Sequence, residues 1–189
     1  MSFVSWREAL AYCDWLTETL KASPHTPEPL KTLLCEQGWR VTLPSEAEWE
    51  KAARGGVGFS SNHSENRRLF PWGNELPSED SNDYANMIYS KIRSTCVVGS
   101  FPKGVTPYGC MDMVGNVWEW TRNKFEDYPY VASDGREEIN EETAPRVLRG
   151  GSWADYVVLV RCAYRLRYHP GGRFSHFGFR VAVRSAPVS

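Results

Sequence analysis

The sequence predicts an α+β domain with two helices in the first third, a small twisted antiparallel sheet, and long irregular loops between them. Three observations carry that reading. Ser5-Trp6-Arg7-Glu8 and Ser45-Glu46-Ala47-Glu48 are capping boxes, a Ser at each cap and a Glu three residues on, which together satisfy orphan amides at a helix start. Phe179, Val181 and Val183 alternate with Arg180, Ala182 and Arg184, the period of a strand with one face buried. Gly56 to Asn66 and Trp72 to Asn86 are rich in Gly, Ser, Asn, Asp and Pro, residues that favour turns over regular elements.

Taken in order, Ala9, Leu10, Cys13, Leu16 and Leu20 follow the first box at helical spacing, so a helix is predicted from about Trp6 to Lys21, with Trp6 and Trp15 in the core. Three prolines make Ser23 to Pro29 a loop. Trp39 to Leu43 reads as a short strand, and the second box opens a helix that ends at Gly55-Gly56. Phe70-Pro71-Trp72-Gly73 is an apolar knot that anchors its loop. Val97-Val98-Gly99-Ser100-Phe101-Pro102 reads as the end of a strand, and Pro107-Tyr108-Gly109 as a turn. Asp112 to Trp120 leads into another strand, and the acidic stretch from Phe125 to Ala144 into a solvated loop. Val147 and Leu148 then meet a tight turn at Gly150-Gly151.

At 189 residues, 41% hydrophobic and a formal net charge of −1, the chain is expected to form one domain over 1–189 with a true core. No apolar run approaches the ~20 residues of a membrane helix. The first residues lack the basic and apolar regions of a signal peptide, so a cytoplasmic location is the default unless another route exports the chain. Five cysteines without a C-x-x-C pair indicate neither a zinc site nor a disulfide scaffold, and buried free thiols are expected. From Pro145 onward there are eight Arg, no Lys and one acid, Asp155. Arg without Lys suggests multi-donor bonding to carboxylates and carbonyls inside the fold rather than a nucleic-acid surface.

Arg149-Gly150-Gly151-Ser152-Trp153, Arg161 with Ala163 and Arg165, Pro170, Arg173 and Gly178-Phe179-Arg180 resemble the end of a formylglycine-generating-enzyme (sulfatase-modifying factor) domain, a branch of the C-type lectin fold. Leu43-Pro44-Ser45-Glu46-Ala47-Glu48-Trp49-Glu50, Phe70-Pro71-Trp72-Gly73, Tyr84-Ala85-Asn86 and Gly115-Asn116-Val117-Trp118-Glu119-Trp120 are similar in the same order. Relatives usually carry an amino-terminal strand and loops ahead of the segment matching Val4-Ser5-Trp6, so that portion is expected to be missing here.

The resemblance implies a structural calcium site, with side-chain oxygens from Asp112 and Glu119 and backbone carbonyls from Gly115 and Val117, a donor set that suits a hard cation. The alternative is that both carboxylates accept bonds from arginines or turn amides. The family's other calcium loop would begin at Asn86-Met87, but no matching acid follows within Ile88 to Ser100. The family's chemistry uses a copper-binding cysteine pair shortly after the Gly-Gly-Ser motif. Here Ala154 to Val160 contains no cysteine, so no copper is expected. Cys162 matches at most a structural cysteine. The related ergothioneine-pathway oxygenases need iron-binding histidines on a helical domain, and His25, His63, His169 and His176 are not at that spacing.

The same framework posts resemble those of the variable proteins of diversity-generating retroelements, receptors in which the residues between the posts are varied. That implies a non-catalytic ligand-binding module whose face includes Asp155, Tyr156, Val158, Leu159, Tyr164, Leu166, Arg167, Tyr168, His169, Phe174, Ser175 and His176, with a protein as the partner. Rigid aromatics beside an Arg are what such surfaces use. Val157, Leu159 and Leu166 fit packing residues equally well. The alternative function is an oxidoreductase or other enzyme of this fold with a site away from the missing cysteines.

Overall fold

A computed structural model describes residues 2–55, 68–80, 82–131, 133–141 and 143–185. The loop expected over Gly56 to Asn66, with His63, lies outside them. Helix α1 spans Trp6–Ala22, α2 Leu30–Glu36 and α3 Glu46–Arg54; strand β1 spans Trp39–Thr42, β2 Trp118–Lys124, β3 Arg146–Arg149, β4 Leu166–Tyr168, β5 Phe177–Phe179 and β6 Ala182–Ser185. Both capping boxes form, with Ser5 and Ser45 accepting from the amides of Glu8 and Glu48 and receiving the Glu side chains in return.

Helix α2 is one more than the two predicted. Behind the prolines, Leu30, Leu33 and Leu34 offer a short apolar face, and Leu34 is buried. Lys31 reaches back to the carbonyls of Lys21 and Ser23 at the end of α1.

The strands form a four-stranded sheet, β4-β3-β2-β5, and a ribbon of β1 and β6. The sheet is mixed rather than wholly antiparallel, because β5 runs parallel to β2 with Glu119 opposite Gly178. The carboxyl-terminal alternation also splits. After β5 the chain leaves the ladder at Arg180, whose guanidinium turns to Glu119, and rejoins as β6, opposite β1 with Val41 facing Val183. Val181 and Val183 are exposed, contrary to the inward face predicted for them. The strand expected to end at Val97-Val98 is a turn, with Val97 79% exposed; the amide of Gly99 is held instead by Asp112 Oδ2 at 2.7 Å.

Among the described residues two clusters make the core. In one, α1 lays Trp6, Ala9 and Cys13 on Val41, Leu43, Trp118, Trp120, Leu148 and Phe177. The Trp6 and Trp120 indoles donate to the carbonyls of Thr121 and Val4, so each ring is buried with its polar atom satisfied. Trp15, expected in the core, is instead exposed beside Tyr12. In the other cluster, Trp49 and Ala53 of α3 meet Phe70, Ala85, Met87, Met113, Val114, Val160 and Cys162. Phe70, Trp72 and Tyr84 stack successively at 4.9 and 4.7 Å, the anchor read from the apolar knot.

Arginines tie the clusters together. Strand β3 is buried along its length although both its ends are Arg. Arg146 donates to the carbonyls of Arg122 and Glu138 at 2.8 Å and lies 3.9 Å over Trp6. Arg149 bonds Glu46, Glu50 and the carbonyl of Cys162, while Arg165 holds Glu46 with two bonds and lies between Phe125 and Tyr128. The basic bias of the last quarter is therefore largely internal. Of its remaining arginines, Arg173, Arg180 and Arg184 pair with Glu8, Glu119 and Glu137, Arg161 donates to the Val158 carbonyl, and Arg167 stacks on Phe125.

Candidate ligand-binding face

Gly150 and Gly151 turn the chain out of β3 with φ of +94° and +73°, a region that favours glycine. Ser152 then closes a small loop: Asp155 Oδ2 accepts from its amide at 2.9 Å and its hydroxyl at 2.5 Å. One oxygen of the half-buried Asp155 carboxylate is thus engaged inside the loop, which makes Asp155 a weaker contact than its exposed neighbours. The loop is pinned from outside where Ile88 donates to the carbonyl of Asp155 and Cys162 to that of Leu69.

Three of the predicted contacts face inward. Leu159, Tyr164 and Leu166 are half-buried and pack on the α1 cluster, Tyr164 with its ring 5.9 Å from Trp118, and Val157 packs on the α3 cluster. Of the readings the sequence left open for Val157, Leu159 and Leu166, packing is the one seen. In physical terms these side chains fasten the loops, so they are poor candidates for free contact.

The rest form two groups. Tyr156, 59% exposed, meets Tyr89 edge-on at 6.2 Å, with Val158 exposed two residues on. Tyr168, Phe174 and His176 gather over the buried Phe177, with Tyr168 and Phe174 5.1 Å apart and Phe174 and His176 5.5 Å apart. His169 and Ser175 are exposed in the same turn, and His169 Nδ1 accepts from the amide of Gly171. Arg167 is exposed on β4, and alternation along the strand sets it opposite Tyr168.

The turn from 169 to 178 is clamped to the start of α1. Trp6 N donates to the Pro170 carbonyl, Phe3 N to those of Phe174 and Phe177, and Arg173 holds Glu8 at 2.7 and 2.9 Å. Ser5 and this arginine together pull the Glu8 carboxyl below its usual pKa. Sequence reasoning missed Phe3, Tyr89 and Phe125, which support or border the face. Each lies far away in the chain, and no local pattern marks it.

The metal expectation meets a different geometry. Both oxygens of Glu119 face Arg180, at 2.6 and 2.7 Å, and Oε2 also accepts from the Trp49 indole at 2.6 Å. Asp112 binds the Gly99 amide, and the Gly115 carbonyl accepts from Val117 N. As arranged, Asp112, Gly115, Val117 and Glu119 do not fit a cation cage, because Arg180 takes both oxygens of Glu119 and the Gly99 amide takes Asp112 Oδ2. Among the described residues no group of three His, Cys, Asp or Glu is poised for a metal. Thermal melting in calcium and in chelator should give one midpoint; an upward shift with calcium would show that the ion displaces Arg180.

The two buried thiols are unsuited to redox work. Cys162 is fully buried, and burial pushes its pKa up to about 12, far from the thiolate a metal or an oxidant requires. Cys13 is likewise buried and raised to about 12, whereas Cys35 is exposed, contrary to the expectation of uniformly buried thiols.

A C-type-lectin-like scaffold carrying exposed aromatic loops on arginine posts is the class these features define. The family model for the sulfatase-modifying factor enzyme 1-like domain matches residues 1–185, and the chain belongs to that family. It is 32% identical over 203 residues to the formylglycine-generating enzyme of Bos taurus, covering 98% of this chain and 44% of that protein. The chain thus spans less than half the length of that curated relative. Among solved structures it is similar to Treponema denticola variable protein 1, with 25% identity, a TM-score of 0.69, and 97% of this chain and 70% of that one covered. PvdO from Pseudomonas aeruginosa matches with 26% identity and a TM-score of 0.69, covering 98% of this chain and 61% of that one. No helix among the described residues is long and apolar enough to cross a membrane.

Proposed function

We propose that the chain is a non-catalytic, receptor-like module that binds a protein through Tyr156, Val158, Tyr168, His169, Phe174, Ser175 and His176, while Arg167, on the other side of β4, stands apart from that face. One observation carries the reading. The loops are held by backbone bonds (Leu159 to Tyr156, Gly172 to His169, Phe177 to Phe174) and by inward-facing side chains, while the aromatic rings Tyr156, Tyr168 and Phe174 stay in contact with solvent. Side chains that do not hold their own loop can change without cost to the fold, which is what a diversified binding face requires. The likeness to a variable protein supports diversification by a retroelement, and the cysteine-free segment from Ala154 to Val160 argues against copper-dependent oxidation.

A displayed random-peptide library panned on the immobilised protein supplies probes. Peptides recovered on the native chain should bind it and lose at least about tenfold in affinity on a Tyr156→Ala/Tyr168→Ala/Phe174→Ala variant, as expected for rings at the centre of a contact. The variant should still unfold cooperatively, with a midpoint lowered only by the uncovering of Phe177. Unchanged peptide binding by the variant would reject the face. A sulfatase-type cysteine peptide incubated with copper and oxygen should remain unconverted, and appearance of the aldehyde would restore the enzyme reading. A neighbouring reverse-transcriptase gene with a near-copy of the final coding segment, differing at adenines, is the genomic counterpart.

A further inference from the structure

One buried amide closes the loop from 90 to 94. Asn86 is 1% exposed; its Oδ1 accepts from Ser90 Oγ at 2.7 Å and its Nδ2 donates to the Ser94 carbonyl at 2.9 Å, so both ends of the loop are tied to one side chain. Between the ties stand Lys91, Ile92 and Arg93, all exposed. Lys91 and Arg93 hold φ of +60° and +57°, a region that residues with a Cβ enter rarely and at a cost. What the clamp fixes is therefore a shape presented to solvent.

This loop adjoins the Tyr156 end of the face. The turn before it, Ile88–Ser90, donates from Ile88 N to the Asp155 carbonyl at 3.1 Å and sets Tyr89 edge-on to Tyr156; Lys91 N then donates to the Ile88 carbonyl. Arg161 is exposed and donates from Nε to the Val158 carbonyl at 2.9 Å, which holds its guanidinium at the same group. The positive charge here is uncommitted. Among the described residues no carboxylate pairs with Lys91, Arg93 or Arg161, whereas Arg173, Arg180 and Arg184 each hold one. Residues 84–111 contain no Asp or Glu, and Asp155, the one acid between 152 and 163, already accepts from Ser152.

Resting on the binding-face reading above, we propose that residues 90–94 are a fixed cationic border of that face and, with Arg161, seat a protein segment that carries carboxylates next to an apolar side chain. Tyr156 and Ile92 supply the apolar surface, and Lys91, Arg93 and Arg161 the charge. Such complementarity sets register and on-rate more than raw affinity, so the border orients a partner that the aromatic loops grip. Three cations on a chain of net charge −1 are too few for a nucleic acid or an anionic bilayer, both of which reward broad basic surfaces.

Lys91→Asn/Arg93→Asn removes both charges and leaves a residue type that tolerates the left-handed backbone. The probes are two displayed peptide libraries with the same aromatic and aliphatic positions, one filled out with Asp and Glu, the other with Asn and Gln. Peptides from the acid library should bind the native chain at least about threefold more tightly than the same peptides with amides in place of carboxylates, the scale of an exposed ion pair. The double variant should lose most of that preference, and adding Arg161→Gln the remainder, while both bind the amide forms as the native chain does. In roughly 1 M salt, where the screening length is about 3 Å, native and variant chains should bind alike. Acid peptides held equally by the native chain and the double variant, but lost from Tyr156→Ala/Tyr168→Ala/Phe174→Ala, overturn the cationic border and leave the face standing. Binders from the amide library alone do the same, and so does an equal loss of acid and amide peptides in the double variant, which makes the loop a packing element. No binder from either library, or binding unchanged in the aromatic variant, removes the face and its border together. Tighter capture of a single-stranded oligonucleotide or of phosphatidylserine vesicles than of the acid peptides would overturn the protein partner.

Discussion

Replacing Glu46 by Ala should lower the unfolding free energy by about 3–5 kcal/mol, the range for removing one partner of a buried ion pair. Glu46 is 1% exposed and sits between two guanidiniums: Arg149, itself fully buried, at 3.1 Å, and Arg165 at 2.5 and 2.9 Å. Without it, Arg165 keeps a bond to the Glu126 carbonyl and Arg149 keeps Glu50, but the carboxylate that neutralises both is gone. The loss arises from stranded charge rather than from a missing contact. Glu46→Gln, which retains an acceptor but not the charge, should fall between. Urea unfolding of the three proteins decides it: a loss below about 1 kcal/mol in Glu46→Ala would mean the arginines find other partners, as exposed pairs do.

Gly151→Ala should cost about 2–4 kcal/mol, since it combines left-handed backbone strain with overpacking. An added Cβ would lie 2.5 Å from Val160 Cγ1 and 3.1 Å from the Val160 backbone, at a φ of +73°. Val160 is buried in the α3 cluster and anchors the end of the exposed loop, so the turn cannot open without lifting that loop. Combining the change with Val160→Ala should relieve only the methyl clash, because the close approach to the backbone of residue 160 and the left-handed strain remain. By contrast, Val158→Ala, exposed in the same loop, should shift stability by about 0.5 kcal/mol or less. Equal melting midpoints for Gly151→Ala and the native chain would show that the turn relaxes and that the loop is not pinned there.

Local chemistry determined a good deal of this protein. Capping boxes act within four residues, so both long helices could be read from Ser5 and Ser45; consecutive glycines marked the turn at Gly150-Gly151 for the same reason. The Arg-only bias of the last quarter foretold guanidiniums used inside the fold, and the missing cysteines after Ser152 could be seen by inspection. What tertiary structure alone decided concerns partners distant in the chain. Trp15 has the spacing of a core residue, but nothing covers that side of α1 among the described residues. Glu119 and Asp112 have the chemistry of metal ligands, yet Arg180, 61 positions beyond Glu119, takes both oxygens of one and a turn amide takes the other. Leu159 and Leu166 are as apolar as Val158, and only the position of Trp118, Leu148 and α1 behind them turns them inward. Phe3 is tied to the turn from 169 to 178 because two carbonyls from the far end of the chain accept from its amide. Side-chain type and spacing set what each residue can do, whereas burial and charge neutralisation depend on which distant atoms arrive beside it, and those are fixed only when the clusters pack.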